Sequence, residues 1–98
     1  MRNPSHLVRN RFGVFYFVLA IPAVIRKIIN QQQVWRSLKT TDRVVALLMA
    51  REFKEVADWL FFQIRHYNMK WIEAKDILNN TANKLFQKYV NTVSHNHR

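Results

Sequence analysis

Residues 15–43 read FYFVLAIPAVIRKIINQQQVWRSLKTTDR and decide the fold, because strand and helix signals follow one another within them. Residues 14–21 are rich in Phe, Tyr and Val, which are typical of β-strands. Pro22 then fits the start of a helix, and apolar residues recur at helical spacing over residues 23–29. Residues 34–38 predict a further strand. The stretch therefore predicts two strands joined by a helix of about two turns.

The first of these strands has two different faces, because side chains alternate along a strand. The bulkier face, which predicts the core side, carries Phe15, Phe17, Leu19 and Ile21. The other face carries Val14, Tyr16, Val18 and Ala20. A strand buried on both faces is the alternative. In the second strand, Val34, Arg36 and Leu38 share one face and Trp35 and Ser37 the other, and a bulge would change which side faces the core.

A third strand is predicted upstream, at residues 7–9. The chain then turns through Asn10 to Gly13, which is the only glycine in the sequence and suits the positive φ that a hairpin needs. Together the three segments predict a small antiparallel sheet.

Downstream of the sheet the sequence predicts two helices. Thr40, Thr41 and Asp42 can cap a long helix, and an apolar stripe follows at spacings of three and four residues. A break is expected at residues 66–69, with Asn68 as a possible cap. A final helix is expected over roughly residues 71–90, and residues 91–98 are expected to fray. The apolar side of this final helix would carry Trp71, Ile72, Leu78, Leu85, Phe86 and Tyr89.

We therefore predict an α+β fold: a small three-stranded antiparallel sheet with a short inserted helix, packed on a long α-helix and followed by a C-terminal helix. With 98 residues the chain is short for more than one full domain. We expect residues 1–66 to form a sheet-plus-helix module and residues 67–98 to form a helical segment that leads towards another domain.

The charge is large and uneven. The chain has 16 Lys and Arg, 6 Asp and Glu and a net charge of +10, which favours an anionic partner such as nucleic acid or an acidic membrane. Residues 1–43 hold eight basic residues and one acid, whereas residues 44–98 hold eight basic and five acidic residues. The partner should therefore touch the first half. The chain has no Cys, which excludes disulfides and thiolate metal sites and fits a cytoplasmic location.

The uncharged run at residues 12–25 raises the alternative of an exported or membrane-surface protein. It is too short to span a bilayer, which needs about 20 apolar residues, and Pro22 interrupts it. Arg26 and Lys27 follow where an exported protein would more often show a cleavage site. A membrane partner is therefore not expected.

Catalytic chemistry has little support, and we expect no enzyme activity, no cofactor and no small-molecule substrate. The histidines are scattered, and His95 and His97 lie in the tail that is expected to fray. The acids show no pairing suited to acid/base work, and no Gly-rich phosphate loop is present.

The basic residues of the first half are the better candidates, because a small antiparallel sheet can enter the DNA major groove and present Arg and Lys. Four basic residues lie on or beside the predicted strands, and the three at the helix ends would reach phosphates. Two aromatic residues of the strands could stack or pack against sugar and base edges. The candidate DNA-binding residues are Arg9, Arg11, Tyr16, Arg26, Lys27, Trp35, Arg36, Lys39 and Arg43.

The order of these motifs resembles the N-terminal domain of phage-integrase-like tyrosine recombinases over about residues 6–55. The pieces are HLVRNRFGVFYF, then Ile-Pro followed by AVIRKII, then VWRSLKTTDR, and a helix that carries Ala46 and Ala50. The matching residues are Phe15, Tyr16, Phe17, Ile21, Pro22, Arg26, Val34, Arg36, Ser37, Leu38, Thr40, Asp42, Arg43, Ala46 and Ala50. That family usually has Arg at one or two of the positions that Val18 and Ala20 hold here, and often glycine where Asn30 stands.

The resemblance implies a module that places a three-stranded sheet against double-stranded DNA and positions a recombinase for integration, with other recombinase subunits as further partners. The catalytic domain of such an enzyme is absent from this chain. The alternative from another class is a helical protein interaction or dimerisation module, built on Leu47, Leu48, Phe61, Phe62 and the last helix. The sequence does not determine which DNA sequence is recognised or whether arm-type or core-type sites are contacted. It also does not determine the oligomeric state.

Overall fold

Three strands and three helices make up the part of the chain that the structure describes. The computed structural model describes the backbone of residues 6–96 and the side chains of residues 6–89. The elements are β1 (Leu7–Arg9), β2 (Phe15–Ala20), α1 (Ala23–Ile29), β3 (Gln33–Ser37), α2 (Arg43–Tyr67) and α3 (Trp71–Asn96). The strands form one antiparallel sheet in the order β1-β2-β3. The predicted α+β layout is confirmed.

The turn between β1 and β2 depends on Asn10 and Gly13. The Asn10 side-chain oxygen accepts hydrogen bonds from the backbone N–H groups of Phe12 and Val14, at 2.9 and 3.0 Å. Gly13 has a φ of 86°, a conformation that side chains with a Cβ rarely adopt. The predicted positive-φ glycine is therefore confirmed, and the turn closes the hairpin by local hydrogen bonds.

The inner face of β2 forms the centre of the core. Phe15, Phe17 and Leu19 are buried, as is Ile21 just after the strand, while Ala20 on the other face is exposed. The Phe17 ring packs against the Phe53 ring of α2, with centroids 4.6 Å apart. The predicted core face is confirmed, and the alternative of a strand buried on both faces is wrong.

The short helix α1 crosses from β2 to β3 and ends at Asn30. Pro22 lies just before the helix, and its carbonyl accepts from the N–H groups of Ile25 and Arg26. Asn30 adopts the left-handed conformation, with a φ of 55°, and its N–H donates to the Arg26 carbonyl. Asn tolerates this conformation better than most residues, although glycine does so at less cost.

The direction of the β3 side chains follows from its pairing with β2. Phe17 lies opposite Arg36, Leu19 opposite Val34, and Val18 opposite Trp35. Val34 and Leu38 are buried, so Arg36 lies on the core side and Trp35 on the outer side. No bulge interrupts the register, and the alternation of the sequence is kept over the whole strand.

The long helix α2 begins after Asp42, as predicted. The Asp42 carboxylate accepts from the N–H groups of Val44 and Val45, at 2.9 and 3.2 Å. The buried stripe of α2 comprises Val45, Ala46, Met49, Ala50, Phe53, Ala57, Leu60, Phe61 and Ile64. Asn68 ends the helix in the left-handed conformation. The predicted start and the predicted cap are both confirmed.

The last helix differs from its prediction in length and in one face residue. α3 continues to Asn96, so the expectation that residue 91 begins a frayed tail is wrong for the backbone up to that point. Asn79, Asn80 and Thr81 do not interrupt it, and the Thr81 hydroxyl donates to the Ile77 carbonyl one turn earlier, at 2.7 Å. Ile72 is exposed rather than buried, and Ala74 is buried in its place. The predicted burial of Leu78 and Leu85 is confirmed.

A polar cluster joins α3 to α2 beside this contact. The Tyr89 hydroxyl donates to the Glu52 carboxylate, and Lys88 Nζ lies 3.1 Å from the same group. The Tyr89 hydrogen bond, with a smaller contribution from Lys88, lowers the pKa of Glu52. The same contact with Glu52 raises the pKa values of Tyr89 and Lys88. The cluster therefore favours ionised Glu52 and protonated Tyr89 and Lys88.

In the described part of the chain, no helix combines the length and the hydropathy that crossing a bilayer would require. The uncharged run at residues 12–25 forms the hairpin turn, β2 and the start of α1 instead.

Replacing the α2 cap should destabilise the fold measurably. We expect Asp42→Ala to lower the free energy of unfolding by about 1 kcal/mol, because two N–H groups lose their acceptor. Urea denaturation followed by circular dichroism measures the change. Glu55→Ala removes a carboxylate from an exposed position of the same helix that makes no capping bond. If the two variants were equally stable, the cap would have no role.

The pKa of Glu52 should depend on Tyr89. A carboxylate whose pKa is lowered in the folded state stabilises the fold above its unfolded pKa, and that contribution is lost as pH falls through the folded pKa. We expect Tyr89→Phe to raise the Glu52 pKa and to reduce this acid-dependent loss. NMR titration of the Glu52 carboxyl carbon measures the shift. Tyr67→Phe, at an exposed tyrosine of α2, should leave it unchanged; an unshifted Glu52 in Tyr89→Phe would contradict the assignment.

Candidate nucleic-acid interface

One face of the sheet lies open, because α2 and α3 contact the sheet from the other side. We call it the open face and define it by the residues that point away from the core. The register places Val8 opposite Tyr16 and Tyr16 opposite Ser37, Val18 opposite Trp35, and Ala20 opposite Gln33. None of these seven residues is charged. The centre of the open face is therefore aromatic and aliphatic, and its polar groups are the Tyr16 hydroxyl on β2 and the side-chain groups of Gln33, Trp35 and Ser37 on β3.

Tyr16 and Trp35 form the middle of the open face. Their rings meet edge to face, with centroids 6.3 Å apart and an interplanar angle of 62°. The Trp35 indole N–H donates to the Gln33 side-chain oxygen at 3.0 Å, and Trp35 is 48% exposed. Both contacts hold the indole in place without burying it. Its accessible surface is therefore mainly apolar carbon.

Four predicted basic residues lie at one end of the sheet, which we call the turn end. Arg9 pairs with Phe15, and Arg11 lies in the turn that follows β1. The chain leaving β3 is joined to the same place, because the Phe15 N–H donates to the Thr40 carbonyl at 2.9 Å. Lys39 and Arg43 flank that junction. All four side chains are exposed.

Aromatic rings accompany three of these cations. The Arg9 guanidinium lies 5.9 Å from the Phe15 ring centroid, and that of Arg11 lies 5.0 Å from the exposed Phe12 ring. Lys39 Nζ lies 5.9 Å from the Phe86 ring of α3, so this side chain is directed towards the helices. Such contacts orient the cations weakly, by about 0.5 to 1 kcal/mol at exposed sites, and leave them able to meet an anion.

Arg26 and Lys27 lie at the opposite end of the sheet, which we call the α1 end. The Arg26 Nε donates to the Ile21 carbonyl at 2.7 Å, which ties the side chain to the point where β2 finishes. Lys27 is exposed on the same helix. The open face therefore has exposed cations beyond both ends of its strands.

Arg36 does not join the open face. It pairs with buried Phe17, and its Nη1 donates to the Trp35 carbonyl at 2.6 Å while its Nε is buried without a hydrogen-bond partner. Burial lowers the pKa of its guanidinium, which nevertheless stays charged at neutral pH. Arg36 lies on the core side because side chains alternate along β3 and its neighbours at two residues' distance, Val34 and Leu38, are buried in the core.

The structure thus separates the nine predicted site residues into groups. Tyr16 and Trp35 lie together on the open face, and six cations lie at its two ends. Arg36 lies on the core side, and Arg9 has the same parity as Leu7 on the core side of β1 but is exposed at the turn end. The sequence prediction missed Val8 and Gln33, which the register adds to the open face. The alternation of side chains along β1 and β3 shows which residues share a face. Only the pairing of the strands shows which of the two faces is the open one.

Other kinds of site have less to support them in the described residues. An apolar groove of about 150 Å³ lies between α1 and α2, lined by residues that include Val24, Phe61 and Phe62. Most small-molecule sites enclose roughly 300 to 1,000 Å³. Between residues 6 and 89 no three His, Asp or Glu side chains are grouped as metal ligands would be. His97 lies outside the described residues.

Comparison with known proteins identifies a family. Residues 6–66, which contain the sheet, α1 and nearly all of α2, match the family model described as a domain of unknown function (DUF6538). No curated protein and no solved structure matches the chain.

The position of Arg36 leads to a stability prediction. We expect Arg36→Met to leave the free energy of unfolding unchanged or to raise it, because Met keeps an apolar stem and removes a buried donor that has no partner. Urea denaturation measures it. Arg51→Met, at an exposed position of α2, is the control for the loss of one positive charge. A loss of more than about 1 kcal/mol in Arg36→Met alone would show that the guanidinium makes a net stabilising contact.

Proposed function

We propose that this chain, which belongs to the DUF6538 family, binds double-stranded DNA with the open face of its sheet. The observation that carries the proposal is the distribution of charge around that face. The segment that builds the sheet and α1, residues 6–41, has six basic residues and no acidic residue. The exposed cations lie beyond both ends of the strands. A polyanion can therefore contact both ends at once, and the one carboxylate at the turn end, that of Asp42, accepts hydrogen bonds from the first N–H groups of α2.

The dimensions of the sheet suit the major groove. At about 3.3 Å per residue, the six residues of β2 extend over roughly 17 to 20 Å. The major groove of B-DNA is about 12 Å wide and admits a β-ribbon. With the open face in the groove, the turn end and the α1 end would each lie near one wall. The cations would then neutralise phosphates on both strands, which positions a protein without reading sequence.

The helical side of the molecule differs in charge. The acids other than Asp42 lie on α2 and α3, and Asp42 itself caps α2. Two of them are paired with lysines, Asp58 with Lys54 at 2.6 Å and Glu52 with Lys88 at 3.1 Å. DNA would attract this mixed surface less strongly than it attracts the basic ends of the sheet. The charge pattern therefore favours one orientation on the duplex.

The resemblance to phage-integrase N-terminal domains supports a more specific role. We propose that the chain is the DNA-binding N-terminal portion of a phage-type tyrosine recombinase, which positions the enzyme for integration and has no catalysis of its own. Its partners would be DNA and other recombinase subunits, and its place the cytoplasm. The Arg residues that the family often has at Val18 and Ala20 would lie on the open face, which here is uncharged.

A helical interaction module is the second candidate, and an exposed apolar patch on α2 favours it. Val44, Leu47 and Leu48 lie on the side of α2 away from its buried stripe, and Val44 is 66% exposed. Phe62 is also exposed, whereas Phe61 belongs to the core. The predicted interface on all four α2 residues is therefore wrong for Phe61. Sedimentation of the chain without DNA would reveal self-association through the others.

Duplex binding should weaken with salt in proportion to the phosphates contacted. The log–log slope changes by about 0.9 for each phosphate neutralised. We expect the triple variant Arg9→Gln, Arg11→Gln, Arg43→Gln to bind more weakly and to lose about two to three units of slope. Fluorescence anisotropy with a labelled duplex of about two helical turns measures both quantities.

The control has the same change in charge on the helical side. Arg51→Gln, Lys75→Gln, Lys84→Gln alters three exposed residues of α2 and α3 and should keep the slope. Equal losses in the two variants would mean that net charge alone drives binding. No affinity at about 50 mM salt would contradict DNA binding. Binding to phosphatidylserine vesicles in its place would favour the membrane-surface alternative.

A further inference from the structure

The open face carries a second property besides its flanking cations, namely the chemistry of its centre. Readout of guanine in the major groove uses Arg or Lys as donors to O6 and N7. The seven residues of the open face include neither. The nearest guanidinium on β3, that of Arg36, lies on the core side with its Nε buried. The centre of the face is therefore poorly equipped to select guanine.

The same residues are well equipped for apolar contact. Trp35 stands on the sheet with its only polar atom, the indole N–H, already bonded to Gln33. Its ring meets the Tyr16 ring edge to face, Val18 lies opposite it on β2, and exposed Val8 lies opposite Tyr16 on β1. In the major groove the apolar group that distinguishes one base from the others is the C5-methyl of thymine. An exposed, fixed indole beside a valine offers a surface on which such methyl groups can pack.

We propose that the open face recognises thymine through its C5-methyl groups, with Trp35 as the main specificity-determining residue. The inference rests on the proposed duplex binding and assigns the base that the surface selects. The two functions are divided in space: the cations of the turn end and the α1 end bind phosphates, and the aromatic centre discriminates between bases. Removing the methyl groups should therefore lower affinity without changing the number of phosphates contacted.

The test exchanges thymine for uracil in the DNA and leaves the protein unaltered. A labelled duplex of alternating adenine and thymine is compared with one of alternating adenine and deoxyuridine, which lacks only the C5-methyl groups. We expect the thymine duplex to bind at least about fourfold tighter, the factor that corresponds to burial of one methyl-sized group. The salt slopes of the two duplexes should agree, because their phosphates are identical.

A matched pair of tryptophan variants assigns the effect to the open face. Trp35→Ala should bind the two duplexes equally. Trp59→Ala removes an indole of similar exposure, 52% against 48%, from α2 and should keep the preference for thymine. Circular dichroism confirms that each variant is folded. If Trp35→Ala does not fold, the comparison of the two duplexes with the unaltered protein still decides whether thymine methyl groups are recognised.

The outcomes separate this inference from the proposed function. Tight binding of both duplexes with equal affinity would overturn thymine recognition and leave duplex binding standing. A thymine preference that survives in Trp35→Ala would overturn the assignment to this residue. Absence of binding to either duplex at low salt would overturn the proposed function and this inference with it.

Discussion

Burial of the inner face of β2 against α2 is the interaction on which the rest of this structure depends. Phe17 and Phe53 are fully buried and lie in ring contact, with centroids 4.6 Å apart. Truncating a buried Phe to Ala costs roughly 3 to 5 kcal/mol, a large share of the 5 to 15 kcal/mol that holds a typical domain together. Because β2 pairs with both other strands, fixing its inner face also fixes theirs.

The open face is a consequence of that constraint. A slip of one residue in strand pairing moves every side chain to the opposite side of a sheet. The observed register sends Leu7, Val34 and Leu38 inward, and it therefore sends Arg36 inward and Val8, Trp35 and Ser37 outward. The same strand register therefore places the aromatic residues on the proposed DNA surface and the half-buried Arg36 on the core side. Neither reflects a local preference of its own residue.

Charge and shape then act at different places on the molecule. The cations occupy the turn end and the α1 end, where the chain leaves the sheet and long side chains need not be buried. Acidic residues occur only from Asp42 onwards, on the helices and at the cap of α2. On such a surface the cations at the two ends would attract a polyanion, and the uncharged centre would contact uncharged groups of the partner. This arrangement links the fold to the DNA proposal and to the choice of base.

Local signals in the sequence were enough for the elements: the turn at Asn10 and Gly13, the short helix up to Asn30, the cap at Asp42 and the break at Asn68 all depend on residues close to one another in the chain. The inner face of β2 was also determined, since only one set of alternate residues was bulky and apolar throughout.

Contacts between residues distant in the chain determined the remaining features. The facing of Arg36 and Trp35 required the partner strand, and the burial of Ala74 in place of Ile72 required α2. Sequence patterns report what each segment prefers, whereas tertiary packing determines which of two permitted faces is removed from water.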